Sequence, residues 1–143
     1  MTDSYKIFPV GFVRKKGQTT QIEIQKKFEA ALLGLDGFSH IYVIYWFHEN
    51  DTPRQRSVLQ VHPRKDKRNP LTGVFATHSP IRPNLVALTT CRIVAIRENM
   101  IEIDRIDAID GTPVIDIKSY NSKNEAAPPF RVPEWIRIGD EPC

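Results

Sequence analysis

Residues 40–48 read HIYVIYWFH, an almost unbroken run of aromatic and β-branched side chains. Such side chains are stiff about χ1 and fit a pleated surface better than a helix. The run is too short to cross a membrane as a helix. It is too densely apolar for a strand wet on one side, so it is expected to be a central core strand with both faces covered.

Seven Gly and eleven Pro divide the chain around that run into short pieces. Residues 7–13 read as an opening strand interrupted by Pro9, which implies an edge or a bulge. Residues 20–24 alternate, with Ile22 and Ile24 on one face. Residues 26–33 form the one expected helix: Phe28 and Leu32 lie one turn apart, and Gly34 supplies a left-handed stop. Residues 50–70 are polar, broken by Pro53, Pro63 and Pro70, and read as an exposed basic loop. Residues 87–96 and 100–106 form a hairpin across Arg97, Glu98 and Asn99. A last strong strand, VIDIKSY at 114–120, follows the turn Asp110, Gly111, Thr112, Pro113. Alternation there places Ile115 and Ile117 on one face and Asp116, Lys118 and Tyr120 on the other.

Residues 121–129 read as a linker and 132–138 as a final strand or a brace, so 121–143 is a loosely attached C-terminal extension. With 143 residues and 41% hydrophobic content, the chain is expected to form one domain over 1–143. Its class is all-β, a small antiparallel barrel with one short helix and long loops.

Several function classes are excluded. No glycine-rich dinucleotide fingerprint, P-loop or strand–helix alternation is present, which removes a doubly wound nucleotide-binding sheet. His40, His48, His62, His78, Cys91 and Cys143 are scattered without the spacing of a zinc site, and no metal is expected. The two cysteines lack paired spacing and read as reduced thiols. No stretch suits a signal peptide or a membrane span, so the protein is expected in the cytoplasm. A formal net charge of +3 permits an anionic partner without demanding one.

Two stretches carry chemistry. In GVFATHSPIRPNLVALT, residues 73–89, Pro80 and Pro83 fix φ and remove amide donors, so Ser79, Arg82 and Asn84 are held in a defined geometry. The same residues would equally serve a rigid structural loop with Arg82 paired to a carboxylate. In VIDIKSY one face packs while Asp116, Lys118 and Tyr120 remain open to chemistry or to solvent.

Taken in order and at their spacing, GLDGFSHIYVIYWFH, GVFATHSPIRPN and DGTPVIDIKSY resemble the TsaA-like or TrmO family of tRNA methyltransferases over about residues 7–120. The resemblance implies a single-sheeted β-barrel that dimerises, binds S-adenosylmethionine and methylates N6 of threonylcarbamoyladenosine beside the tRNA anticodon. It implies a cofactor site built from His48, Glu49, His78, Arg82, Asn84, Leu88, Asp104, Arg105, Ile106 and Asp107. The general base is expected at Asp116 or Asp110, with Lys118 and Tyr120 orienting the threonyl carboxylate or carbamoyl oxygen.

Three departures from the family stand out. His78 replaces the usual Arg, Asn84–Leu85–Val86–Ala87 replaces Asn-Pro-Ile-Gly, and the further C-terminal domain of bacterial members is not part of these residues. The basic loop, with Arg54, Arg56, Arg64, Lys65, Lys67 and Arg68, is then the expected hold on the tRNA anticodon arm. Two alternatives are a methyltransferase acting on a small molecule and a non-catalytic module that binds S-adenosylmethionine or RNA.

Overall fold

The computed structural model describes residues 3–121 and 131–136. These form two compact units, one of residues 3–46 and 88–120 and the other of 47–87 with 121 and 131–136. In chain order the strands are β1 (Gly11–Lys16), β2 (Thr19–Ile24), β3 (His40–Trp46), β4 (Gln60–Val61), β5 (Thr72–Gly73), β6 (Val86–Arg97), β7 (Met100–Ile103) and β8 (Pro113–Ser119). Six close an antiparallel barrel in the order β1-β2-β7-β6-β3-β8, and β4 pairs with β5. The expected all-β barrel is therefore the observed fold.

Pairing follows side-chain alternation. Val13 faces Ile22, and Ile22 faces Ile101, all three fully buried. Burying each such side chain contributes about 1.5–3 kcal/mol, and a one-residue slip would turn the whole set out to water. Gly11 pairs with both Ile24 and Val114. A Cβ at Gly11 would run into the Glu23 main-chain carbonyl, which no rotamer change relieves. Gly11→Ala is expected to destabilise the barrel by about 1–3 kcal/mol, seen as a lower urea midpoint; an unchanged midpoint would contradict this packing.

The structure corrects several element expectations. The opening strand runs from Gly11, after Pro9 instead of across it; the Val10 amide already bonds the Val114 carbonyl at 2.8 Å. The expected helix is a 3-10 segment, Lys26–Leu32, with no buried residue. Without a buried stripe there is little to hold an α-helical turn against the tighter form. Gly34 is left-handed, φ 87°, as expected.

β3 stops at Trp46, because His48 enters a 3-10 turn, His48–Asn50. Its faces are unequal: Ile41, Val43 and Tyr45 are buried, whereas Tyr42, Ile44 and Trp46 are only half-covered. The run is thus a wall of the barrel with a half-wet outer side. The basic loop holds more structure than expected, namely the α-helical turn Pro53–Arg56, capped by the Thr52 hydroxyl, and the β4–β5 ladder. The 97–100 hairpin is present, with Glu98 at φ 53°, but β7 ends at Ile103.

VIDIKSY does not alternate simply. Ile44 pairs with Asp116 and Tyr45 with Val114, so the register shifts at Ile115. This bulge puts Val114 and Ile117 on the inner side, opposite buried Tyr45 and Val43, and leaves Asp116 and Lys118 outside. Ile115 and Ile117 therefore do not share a face. At the C-terminus the described residues 131–136 make a turn, with the Ile136 amide on the Pro133 carbonyl, and no strand. The expected linker at 121–129, apart from Asn121, and residues 137–138 lie outside the described residues.

Candidate functional site

After β7 the chain leaves the barrel wall through Asp104, Arg105, Ile106 and Asp107. Its carbonyls are taken one after another by barrel side chains. The Cys91 thiol donates to the Arg105 carbonyl at 3.3 Å, the Lys15 ammonium to Ile106 at 3.1 Å and the Tyr45 hydroxyl to Asp107 at 3.1 Å. Asp104 Oδ1 accepts the amides of Arg92 and Arg105, at 2.9 and 2.8 Å. The amides of Ile106 and Asp107 have no partner among the described residues. The segment is rigidly held and offers donors. The Tyr45 hydroxyl also meets the Thr89 hydroxyl at 3.0 Å, which ties the segment to β6 beside half-exposed Leu88.

An adenosine needs an apolar surface for its ring, amide donors for ring nitrogens and a carboxylate for its ribose hydroxyls. The amides of Ile106 and Asp107 and the Asp104 and Asp107 carboxylates fit the last two of those demands. Sequence reasoning missed the fasteners: Lys15 lies 91 positions from Ile106, and no local pattern announces such a bond.

Cys91 is fully buried, and burial, aided by the Asp104 charge, pushes its thiol up to about 12. It is a structural donor, not a nucleophile. In the unfolded chain the thiol ionises near 9, so the unfolded state releases its proton first. This contribution to stability is complete below pH 9 and is lost as pH rises toward 12. Alkylation of Cys91 at pH 8 should proceed only as fast as unfolding; rapid labelling of the native protein would contradict its burial.

The outer side of β6, β3 and β8 carries the other candidates from this unit. The Ile93 amide bonds the Ser39 carbonyl at 2.8 Å. In an antiparallel ladder that bond sets Leu88 across from Ile44, Thr90 from Tyr42 and Arg92 from His40. On the other flank, Ile44 faces Asp116 and Tyr42 faces Lys118. Leu88, Ile44 and Asp116 thus form one outward row, with β6 and β8 two inter-strand spacings apart, about 10 Å. Asp116 Oδ1 accepts the Ile117 amide at 2.8 Å, which orients the carboxylate. Asp110 is elsewhere: its Oδ1 accepts the Lys15 amide at 2.8 Å and pins the turn before β8 to β1.

The remaining cofactor candidates belong to the second unit. His48, Glu49, His78 and Asn84 are exposed, and Arg82 is half-buried. The loop around His78 is stiffened by its own hydroxyls: Thr77 Oγ1 accepts the Ser79 amide and Ser79 Oγ accepts the Ile81 amide, both at 3.2 Å. Arg82 Nη1 donates to the carbonyls of Thr77 and Ser79, at 3.0 and 3.2 Å. The rigid loop is real, and Arg82 staples it through carbonyls instead of a carboxylate. Asn84 is tethered through Oδ1 to Arg56 Nη2 at 3.3 Å, while Arg56 also reaches the Pro83 carbonyl and Asp51.

In the basic loop, Arg56 and Arg68 are committed internally. Arg68 grips both oxygens of Asp66, the shortest contact being 2.7 Å, and this hydrogen-bonded guanidinium holds the Asp66 carboxyl down to about 2. Arg54, Lys65 and Lys67 are exposed. Arg64 and Lys65 are both left-handed, φ 60° and 57°, a strained pair costing about 1–2 kcal/mol per residue. Among the described residues no three His, Cys, Asp or Glu side chains gather as a metal would need. No helix among them is long and apolar enough to cross a membrane.

A probable S-adenosyl-L-methionine-binding protein of Methanocaldococcus jannaschii is 45% identical over 119 residues, 83% of this chain and 94% of its own length. One of the same description from Pyrococcus horikoshii is 48% identical, covering 82% of this chain and 84% of its own. A human tRNA (adenine(37)-N6)-methyltransferase is 40% identical over 92 residues, 64% of this chain and 20% of its own length. A crystal structure of TrmO superposes with a TM-score of 0.70 at 26% identity over 91% of this chain; the chain spans 64% of that solved structure. Residues 6–126 match the model described as tRNA-methyltransferase O N-terminal domain, and this match, together with the closed barrel, shows that the chain belongs to that family.

Proposed function

We propose that this chain is an S-adenosylmethionine-dependent tRNA methyltransferase acting on N6 of threonylcarbamoyladenosine beside the anticodon. The observation that carries the reading is the outward row Leu88, Ile44, Asp116, which sets an apolar side chain and a carboxylate on one sheet face. Relatives described as S-adenosyl-L-methionine-binding proteins and as tRNA (adenine(37)-N6)-methyltransferases support it. Leu88, Asp104, Arg105, Ile106 and Asp107 would hold the adenosine, and His48, Glu49, His78, Arg82 and Asn84 are the further cofactor contacts that the family resemblance implies. S-adenosylmethionine supplies an electrophilic methyl group when bound.

The protein's task is alignment and removal of one proton. The acceptor nitrogen lies between a purine and a carbonyl, so its lone pair is delocalised and its N–H is acidified. Asp116, its carboxylate oriented by the Ile117 amide, takes that proton. Asp110 serves the fold through its bond to Lys15.

Arg54, Arg64, Lys65 and Lys67 hold the anticodon arm through phosphates, an assignment supported by the exposure of Arg54, Lys65 and Lys67. A cytoplasmic homodimer completes the reading. Its support is the exposure of the apolar side chains Ile7, Phe8 and Leu33, the last 95% exposed; light scattering reads the mass directly. The deciding experiment incubates the protein with isotopically labelled S-adenosylmethionine and tRNA carrying threonylcarbamoyladenosine, followed by nucleoside mass spectrometry. One labelled methyl on that nucleoside is expected. Cofactor binding with an unmodified tRNA would overturn the substrate.

A further inference from the structure

The outward face of β6, β3 and β8 carries a second feature one and two rows beyond Asp116. The Tyr120 ring lies 5.8 Å from His40, tilted by 53°, and 5.5 Å from Tyr42, tilted by 52°. Tilted rings at this spacing pack edge against face, and the three make one aromatic cup on the outer face. All three residues are half-exposed. The cup is pre-set, since Ser39 Oγ and His40 Nδ1 share a 2.7 Å hydrogen bond and the Tyr120 amide bonds the His40 carbonyl at 3.1 Å.

Two cations flank the cup. Lys118 faces Tyr42 across the strands, and the Ile93–Ser39 bond brings outward Arg92 across from His40. Both are exposed, and neither joins an ion pair among the described residues. Their strands are about 10 Å apart, a span that side chains of this length close onto neighbouring phosphates. Aromatic faces between unpaired cations suit a planar base within its own phosphodiester backbone. An apolar peptide would leave both charges unused.

We propose that His40, Tyr42 and Tyr120 form a stacking cup for an unpaired base of the RNA substrate, with Arg92 and Lys118 on its flanking phosphates. The proposal rests on the tRNA reading and deepens it. Four residues of extended chain, about 13 Å, separate Asp116 on β8 from Tyr120 just past its end, so the stacked base is a near neighbour of the adenine presented for methylation, not that adenine itself. The cup fixes the loop while leaving the target base free to reach Asp116.

The test uses an anticodon stem-loop RNA carrying 2-aminopurine beside the target adenine, titrated with the full chain. Wild type should bind and quench the fluorophore. Tyr42→Leu should weaken binding roughly ten-fold and abolish the quench, Tyr42→Phe should restore both, and S-adenosylmethionine affinity without RNA should be unchanged in each. Because Tyr42 also packs in β3, His40→Leu at the strand's start gives a second reading, with the same loss expected. Arg92→Ala should keep the quench and reduce the salt slope by about one unit.

Wild-type affinity and quench in both leucine variants would overturn the cup and leave the tRNA reading standing. A change of particle mass in light scattering with RNA affinity intact would overturn it as well, making this face a subunit contact. A wild-type protein that binds no stem-loop would overturn the cup and the tRNA reading together.

Discussion

Asp116→Asn should lower the methyl-transfer rate on tRNA by about 10²–10⁴-fold, the range for a positioned general base, with S-adenosylmethionine affinity unchanged. The amide keeps the carbonyl oxygen that accepts the Ile117 amide, so the strand and its bulge stay intact and only the proton-accepting group is removed. The deficit should shrink as pH is raised and the acidified N–H ionises without help. Asp110→Asn is the internal control: its oxygen still accepts the Lys15 amide, and activity should remain near wild type. Rates measured under single turnover, with binding followed by calorimetry, separate the two. Turnover within about three-fold of wild type in Asp116→Asn, far short of the effect of a base, would remove Asp116 from that role.

Replacing Arg64, Lys65 and Lys67 together with Ala should weaken tRNA binding and flatten its salt dependence by about two to three units of slope, since each phosphate that a cation neutralises adds close to one unit. Arg68→Ala alone should do much less, because its guanidinium is already clamped on Asp66. The Asp66 carboxyl lies at about 2, so it stays ionised at any pH above that and the clamp is released only as pH falls through it. The triple variant also relieves the left-handed turn only partly, since alanine shares the Cβ that strains Arg64 and Lys65. Fluorescence anisotropy with labelled tRNA at several salt concentrations measures both affinity and slope. An unchanged slope in the triple variant would mean that this loop does not carry the phosphates.

Where side chains repeat with the period of the element, the sequence is readable. β2 is legible because Ile22 and Ile24 alternate with polar residues and both are buried, and the hairpin at 97–100 is legible from its polar turn between β-branched runs. Apolar spacing alone makes the short 26–32 segment read as a helix. Its conversion to 3-10 geometry depends on what the segment packs against, which spacing does not record.

The candidate site divides along the same line. That Asp116, Lys118 and Tyr120 stand apart from a packed face follows from strand periodicity. That Val114 and Ile117 share the inner side depends on a bulge opposite Ile44 and Tyr45, and a bulge is set by how two strands fit, so it has no period to read.

By itself the sequence determined the barrel class, its strong strands and the family, because local stereochemistry and alternation are written residue by residue. Tertiary structure alone decided that Asp110 pins a turn while Asp116 stands open, and that Lys15, Tyr45 and Cys91 hold the carbonyls of residues 105–107. It also gathered His40, Tyr42 and Tyr120 between two cations. Each of these joins groups far apart along the chain, and only closure of the barrel brings hydrogen-bonding partners so separated within about 3 Å of one another.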